Sequence, residues 1–76
     1  MQEATRAKLK RFGYAVRVSR RELGVSQEGF AELVGCNRTY VGEIENAQVN
    51  VSFDLIFKIA RALKVTVAEL MARAKI

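Results

Sequence analysis

The apolar residues of the first third of the chain recur at intervals of three, four and seven residues, which places their side chains on one face of an α-helix. These residues are Leu9, Phe12, Val16 and Leu23. The chain contains no proline, so nothing in the sequence forces a helix to break. Gly24 ends the pattern, as glycine often does just beyond a helix. The sequence therefore predicts a first helix from about Ala4 to Leu23.

Four shorter helices are predicted to follow, because a residue that favours the N-cap position precedes each later apolar stretch. Ser26 caps Gln27–Val34, which ends at Gly35; Asn37 caps Arg38 to about Asn46; Ser52 caps Phe53–Leu63; and Thr66 caps Val67 to about Ala74. Residues 47–51 form a loop in this prediction. A chain of 76 residues has room for one hydrophobic core. The predicted fold is all-α, a compact five-helix single domain over residues 1–76.

Positive charge is concentrated in the first helix. The 13 Lys and Arg residues exceed the 8 Asp and Glu residues, which gives a net charge of +5. Seven cations and no acid lie between Arg6 and Arg21. Such a segment fits a polyanionic partner, and it fits a solvated helix face equally well. Charge alone leaves both interpretations open.

Several classes of function are excluded by composition. Histidine is absent and Cys36 is the single cysteine, so neither a disulfide framework nor a Cys/His zinc site is available. Without the usual pairs of nucleophile and base we expect no enzyme activity and no cofactor. We expect no small-molecule ligand, since a sensing domain does not fit in this length. The absence of a long apolar run or a signal peptide predicts a cytoplasmic protein without membrane contact.

Predicted helices two and three have the spacing of a DNA-reading helix-turn-helix, in which two helices cross closely about a tight turn. Ala31 supplies the small side chain that the crossing requires, and Gly35, four residues later, begins the turn. Apolar side chains from both helices point back into the core in this arrangement: Phe30, Val34, Val41 and Ile44. No single residue is diagnostic, but together they form a specific pattern.

The opposite side of helix three is the candidate face for contacting DNA. At 100° per residue this face carries Arg38, Thr39, Gly42, Glu43 and Asn46. Arginine can bind guanine through two hydrogen bonds, threonine can contact a thymine methyl or a phosphate, and glutamate can accept from a cytosine amino group. Gly42 weakens the helix by about 1 kcal/mol relative to alanine, a cost that close approach to DNA explains. The alternative is that these are ordinary surface residues.

Arg20 falls on the apolar stripe of the first helix, where an unpaired charge is expensive. Glu45 lies at the boundary between the core face and the DNA face of helix three. We therefore expect an ion pair between Arg20 and Glu45 that holds the first helix against the recognition helix. The alternative is two unrelated surface charges.

The run from about Val16 to Leu70 resembles the Cro/repressor, or xenobiotic-response-element, helix-turn-helix family. VSQEGFAELVG is similar to the family's S/N-Q-x-x-x-A-x-x-x-G run, IEN to its I/L-E-N/R, and ALKVTVAEL to its closing A-L-G-V-S-x-x-x-L. Arg20 and Glu45 match the positions of a family salt bridge. The run CNRTYVGEIE most resembles the controller proteins of restriction-modification systems, which often have R-T-Y-[IV]-x-x-I-E.

The resemblance implies roles for individual residues. Arg38 would contact base edges, and Thr39 and Tyr40 would contact bases or the adjacent backbone, with Gly42 and Glu43 on the same surface. The implied phosphate contacts are Ser26, Gln27, Asn37 and Asn46. Arg17 and Arg21 are added as phosphate contacts because of their charge, with a solvated surface as the equal alternative. Gly29 and Ala47 depart from the family, which usually has a helix former and a glycine there.

A dimer is expected, because a single recognition helix covers few base pairs and regulators of this kind bind two half-sites about 34 Å apart. Phe53 and Phe57 stand four residues apart, on a different side of helix four from its inward stripe. Together with residues of helix five they form the predicted dimer interface: Phe53, Phe57, Val67, Leu70 and Met71. The alternative is that helix one covers the two aromatic rings within the monomer.

These features predict a sequence-specific transcriptional regulator, acting as repressor or activator, that binds an inverted-repeat operator as a homodimer. Double-stranded DNA is the expected partner, and RNA polymerase is a further candidate. Three kinds of protein remain open at this point: a restriction-modification controller, a prophage repressor, and an antitoxin-type module that binds a toxin.

Overall fold

A computed structural model describes residues 2–76 and contains the five predicted helices. They are α1 (Glu3–Leu23), α2 (Gln27–Val34), α3 (Arg38–Glu45), α4 (Phe53–Leu63) and α5 (Val67–Ala74). No strand occurs among the described residues. The all-α prediction is confirmed, with bounds that differ by one residue at the start of α1 and at the end of α3, where Asn46 is the C-cap.

The helices begin where the sequence places their caps, because each predicted N-cap side chain accepts a backbone N–H three residues later. The acceptor and donor pairs are Ser26 with Gly29, Asn37 with Tyr40, Ser52 with Leu55, and Thr66 with Glu69, at 2.8–3.1 Å. The Glu69 side chain also accepts the backbone N–H of Thr66 at 3.0 Å, which completes a capping box.

Residues in the left-handed backbone conformation, with positive φ, stand where helices end and the chain turns. Gly24 and Gly35 adopt φ of 79° and 91°, where glycine carries no steric penalty. Lys64 and Ala47 adopt φ of 61° and 57°, a conformation that costs an ordinary residue about 1–2 kcal/mol. Lys64 stands where the family pattern A-L-G-V-S has glycine, and Ala47 where the family usually has glycine.

The core is shared among all the helices. Five large side chains are almost completely buried, and each helix supplies one of them: Val16, Phe30, Val41, Ile59 and Leu70. α1, 21 residues long, packs against α3, α4 and α5, while α2 packs against α3 and α4. None of the helices in residues 2–76 combines the length and apolar character needed to cross a membrane.

Leu70 corrects one prediction. The sequence assigned it to the dimer interface, but its side chain is 0% exposed and lies among the core residues of the monomer. The inner face of α5 carries Leu70 and Ala74, both buried by the neighbouring helices. Leu70 therefore has no surface to offer a second copy.

Candidate nucleic-acid interface

The turn between α2 and α3 brings the two helices into a close crossing. Ala31 is 3% exposed, and its carbonyl accepts the backbone N–H groups of Gly35 at 2.8 Å and Cys36 at 2.9 Å. The positive φ of Gly35 then redirects the chain to Asn37, which caps α3. Burial raises the pKa of the Cys36 thiol, which favours the neutral form. The turn thus sets the direction in which α3 leaves the body of the protein.

The first turn of α3 projects into solvent. Arg38 and Thr39 are exposed, and Tyr40 is half-buried against the core. Asn37 is exposed, but its side-chain oxygen accepts the Tyr40 backbone N–H at 2.8 Å, so only its amide NH2 is left for a phosphate. Arg38 and Thr39 are thus the predicted contact residues with the freest access to a major groove.

Packing among the described residues does not require a glycine at position 42. A Cβ atom added there meets nothing closer than Gln27 Nε2 at 4.0 Å, and the backbone of α3 is regular at this residue. Gly42 and the adjacent Glu43 are both partly exposed. A glycine that the fold does not need, on an accessible helix face, is suited to close approach by another molecule.

The structure contains the Arg20–Glu45 ion pair. Arg20 donates from Nε to Glu45 Oε2 at 2.7 Å and from Nη2 to Oε1 at 3.2 Å. The side chains are 9% and 0% exposed, so this pair is shielded from water. Arg20 Nη1 also donates to the Val25 carbonyl at 2.9 Å, which links the segment just before α2 to the same guanidinium group. The pair therefore connects α1, α2 and α3.

Glu45 is the centre of a larger hydrogen-bond network. Gln27 Nε2 donates to its Oε1 at 3.1 Å, and Arg17 Nε donates to the same oxygen at 3.4 Å. Burial alone raises the pKa of Glu45, but the hydrogen bonds from Arg20, Gln27 and Arg17 and the charge of Arg20 outweigh it, so its pKa is lowered. The carboxylate therefore stays ionised and holds its three donors in place.

Three of the predicted phosphate contacts are linked by this network. Arg17 Nη2 donates to Asn46 Oδ1 at 2.7 Å, so Arg17 connects Asn46 to Glu45, and Gln27 joins from the start of α2. The sequence predicted a separate phosphate contact for each of Gln27, Arg17 and Asn46, and it did not predict that the three side chains are connected.

The other predicted phosphate contacts, Ser26 and Arg21, lie outside this network. Ser26 is exposed and caps α2, while Arg21 is exposed and forms no ion pair within residues 2–76.

Gly13 is a positioning residue that sequence reasoning missed. A Cβ atom there would lie 2.5 Å from the Ile44 carbonyl oxygen and 2.7 Å from that of Glu45. Only glycine lets α1 approach the C-terminal backbone of α3 this closely. The available sign was a glycine inside a long helical pattern, which is unfavourable unless packing requires it.

Two aromatic rings remain exposed on α4. Phe53 is 78% exposed and Phe57 is 50% exposed, and their ring centroids lie 5.0 Å apart. α1 therefore does not cover them, which removes the alternative that the sequence left open. Val67 and Met71 on α5 are partly exposed. These four side chains are the remaining residues of the predicted dimer interface.

Residues 16–70 match the Helix-turn-helix family, and the chain belongs to that family. The crossing of α2 and α3, the exposed first turn of α3 and this match define a helix-turn-helix DNA-binding regulator.

Among solved structures, the restriction-modification controller protein C.AhdI from Aeromonas hydrophila is similar to this chain. It has 45% sequence identity and a TM-score of 0.81, covering 84% of this chain and 97% of that one. Control protein C.SmaI from Serratia marcescens is 38% identical over 58 residues, 76% of this chain and 69% of the relative. Control protein C.MunI from Mycoplasma sp is 40% identical over 63 residues, 82% and 85% of the two chains. The predicted resemblance to controller proteins is confirmed.

Proposed function

We propose that this protein controls the transcription of restriction-modification genes by binding an inverted-repeat operator as a homodimer. Each subunit places the first turn of α3 in a major groove, where Arg38 and Thr39 contact base edges. Tyr40, Gly42 and Glu43 line the same surface. Residues 1–76 act as one DNA-binding domain, in the cytoplasm and without enzyme activity. By occupying the promoter, the dimer changes the access or the recruitment of RNA polymerase.

The observation that carries this proposal is the fixed orientation of the exposed helix. The Glu45 network and the Gly13 contact hold α3 from behind, while nothing in residues 2–76 covers Arg38 or Thr39. Base contacts require such a preset geometry, because an arginine must meet the two acceptors of guanine in one orientation. The similarity to C.AhdI supports the choice of restriction-modification genes as the target.

The phosphate contacts follow from the same framework. Gln27 and Asn46 lie at the start of α2 and the end of α3, and Arg17 lies beside Asn46. Helix N-termini and cations are suited to backbone phosphates and fix the register of the protein on the duplex. We infer that Ser26, Arg21 and the amide of Asn37 complete this set.

The dimer is inferred from the aromatic pair on α4. Phe53 and Phe57 expose a larger apolar surface than an isolated surface residue does, and Val67 and Met71 extend the surface onto α5. The two recognition helices of this dimer must lie about 34 Å apart to enter successive major grooves on one face of the duplex.

The test of sequence-specific binding is selection of bound duplexes from a random DNA pool, in parallel for the wild type and for Arg38→Ala. We expect an inverted repeat from the wild type and loss of a guanine preference in the variant. Arg21→Ala serves as the comparison, because Arg21 is exposed and forms no ion pair within residues 2–76, so that loss of its inferred phosphate contact should weaken binding to all sequences. If the wild type selects no motif, the proposed function is wrong. A neighbouring methyltransferase or endonuclease gene with the selected site in its promoter supports the controller assignment.

The proposed dimer interface is tested by measuring the dimer dissociation constant of the wild type, Phe53→Ser and Leu33→Ser by sedimentation equilibrium. Both side chains are exposed, at 78% and 56%, but Leu33 lies on α2, outside the proposed interface. Burying one phenylalanine contributes about 1.5–3 kcal/mol, and a two-fold interface contains two. Phe53→Ser should therefore raise the dimer dissociation constant by at least about 100-fold. Equal effects of the two substitutions would rule out this interface.

A further inference from the structure

The groove between α1 and α5 has the chemistry of a second binding surface. A shallow cavity of about 370 Å³ opens there. The residues that line it are Lys10, Arg11, Tyr14, Arg73, Ala74 and Lys75. Four of the six are cations and none is an acid, so the groove favours an anionic occupant.

Most of this charge is not compensated. Lys10, Arg11 and Lys75 form no ion pair within the described part of the chain. Arg73 donates to Ser19 Oγ at 2.9 Å and to Glu22 Oε1 at 3.5 Å, which fixes its guanidinium at one end of the groove. One cation is thus held in place, and three are free to meet an anion.

The groove also has an apolar part. Tyr14 is 67% exposed, and Ala74, 2% exposed, lies beside it in the lining. Tyr14 and Arg73 also line an adjoining cavity of about 340 Å³ that extends towards Val18 and includes Glu22, the ion-pair partner of Arg73. Tyrosine and arginine are enriched at protein–protein interfaces, and a peptide that alternates acidic and apolar side chains matches both the cations and the ring.

The groove lies on a different side of α1 from the recognition helix. Gly13 faces the backbone of α3, while Tyr14 is 100° further around the helix axis and Arg11 about 160° away. Lys10 and Tyr14 share a face of α1 with the inferred phosphate contacts Arg17 and Arg21, but lie seven residues, about 10 Å, away along the helix axis. The groove therefore adjoins the inferred DNA surface, and none of its lining residues is itself an inferred DNA contact.

We propose that this groove binds an acidic peptide segment of a partner protein that carries an aromatic or aliphatic side chain among its carboxylates. The carboxylates pair with Lys10, Arg11 and Lys75, and the apolar side chain lies against the Tyr14 ring. Exposed ion pairs contribute little individually, so the apolar contact supplies the discrimination. The peptide and the operator bind at the same time, because the groove shares no residue with the inferred DNA contacts.

The experiment measures fluorescence anisotropy of a labelled synthetic peptide that alternates aspartate with leucine and phenylalanine. A second peptide, with glycine in place of the apolar residues, has the same charge. Lys10→Glu and Tyr14→Ala alter the groove, and Lys8→Glu is the matched control, since it makes the same charge change at an exposed position of α1 outside the lining. Thermal melting verifies that each variant is folded.

We expect the apolar-containing peptide to bind the wild type, and the glycine peptide to bind more weakly by about fivefold. Lys10→Glu and Tyr14→Ala should each lower the affinity by about fivefold, and Lys8→Glu by less than about twofold. Operator DNA should leave peptide binding unchanged.

Three results would overturn the proposal. Equal losses for Lys8→Glu and Lys10→Glu would show diffuse attraction instead of a site. Competition between operator DNA and the peptide would identify the groove as a phosphate-binding surface. Loss of self-association in Lys10→Glu, with no peptide binding to the wild type, would make a second copy the occupant.

Discussion

Replacement of Glu45 by glutamine tests whether the buried network holds the recognition helix. The side chain keeps its size and one oxygen acceptor but loses its charge, and an NH2 group then faces the donors of Arg20 or Gln27. Removal of one partner of a buried ion pair costs about 3–5 kcal/mol, because the other charge stays buried. Since one acceptor survives, we expect a loss near the lower end, about 3 kcal/mol.

This loss is large for so small a protein. A chain of 76 residues has a free energy of unfolding of about 4–11 kcal/mol. A loss of about 3 kcal/mol lowers the melting temperature by roughly 12–24 °C for a domain of this size. Urea unfolding followed by circular dichroism measures the free energy, and the operator dissociation constant reports the position of α3.

The matched control is Asp54→Asn, which breaks the exposed Lys58–Asp54 pair of α4, 3.1 Å long. Exposed pairs at this spacing contribute about 0.3–0.5 kcal/mol, so the control should change little. A double variant, Arg20→Met with Glu45→Met, should recover part of the stability because it leaves no buried charge unpaired. If Glu45→Gln costs no more than Asp54→Asn, the network does not hold the helix.

The pH dependence of stability gives a second readout of the same network. The pKa of Glu45 is lowered in the folded protein, so its ionised form stabilises the fold above the unfolded pKa of about 4.3. That contribution is lost as pH falls through the lower folded pKa. Glu45→Gln should therefore flatten the fall in stability below about pH 4.3. Glu69, whose pKa is lowered by its hydrogen bonds with Thr66, contributes in the same direction, and Glu69→Gln measures its share.

Three further substitutions have clear expectations. Gly13→Ala should destabilise the protein by about 1–3 kcal/mol and weaken operator binding, because its Cβ atom meets the Ile44 carbonyl at 2.5 Å; unchanged melting would refute the close contact. Gly29→Ala, whose Cβ atom has its nearest neighbours at 3.4 Å, should raise stability by up to about 1 kcal/mol in the same melting assay. Lys64→Gly should add about 1 kcal/mol by relieving a left-handed φ of 61°, and a loss in urea unfolding would contradict this.

The local features of the fold were predictable because they depend on neighbouring residues. The caps at Ser26 and Asn37 and the turn at Gly35 act within one helical turn, and the helix bounds follow from them. The Arg20–Glu45 contact was also predictable from the sequence, because a charge on the apolar stripe of a helix needs a partner and few acidic residues lie on the core-facing side of a helix.

Other features depend on contacts between distant parts of the chain. Gly13 meets a carbonyl 31 residues later, and no local pattern identifies that carbonyl. Leu70 and Phe53 are both apolar residues on amphipathic helices, and only the packing of α5 against its neighbours buries the first and leaves the second exposed. The link from Arg17 through Glu45 to Gln27 joins three helices for the same reason.

The most direct test of base recognition by α3 is the ratio of affinities for the selected operator and a scrambled duplex, at physiological salt, for the wild type and Arg38→Ala. The wild type should bind the operator far more tightly, and Arg38→Ala should reduce the ratio by roughly 5- to 150-fold, equivalent to about 1–3 kcal/mol. Affinity for the scrambled duplex should change much less. A ratio unchanged by Arg38→Ala would contradict base recognition by the exposed turn of α3.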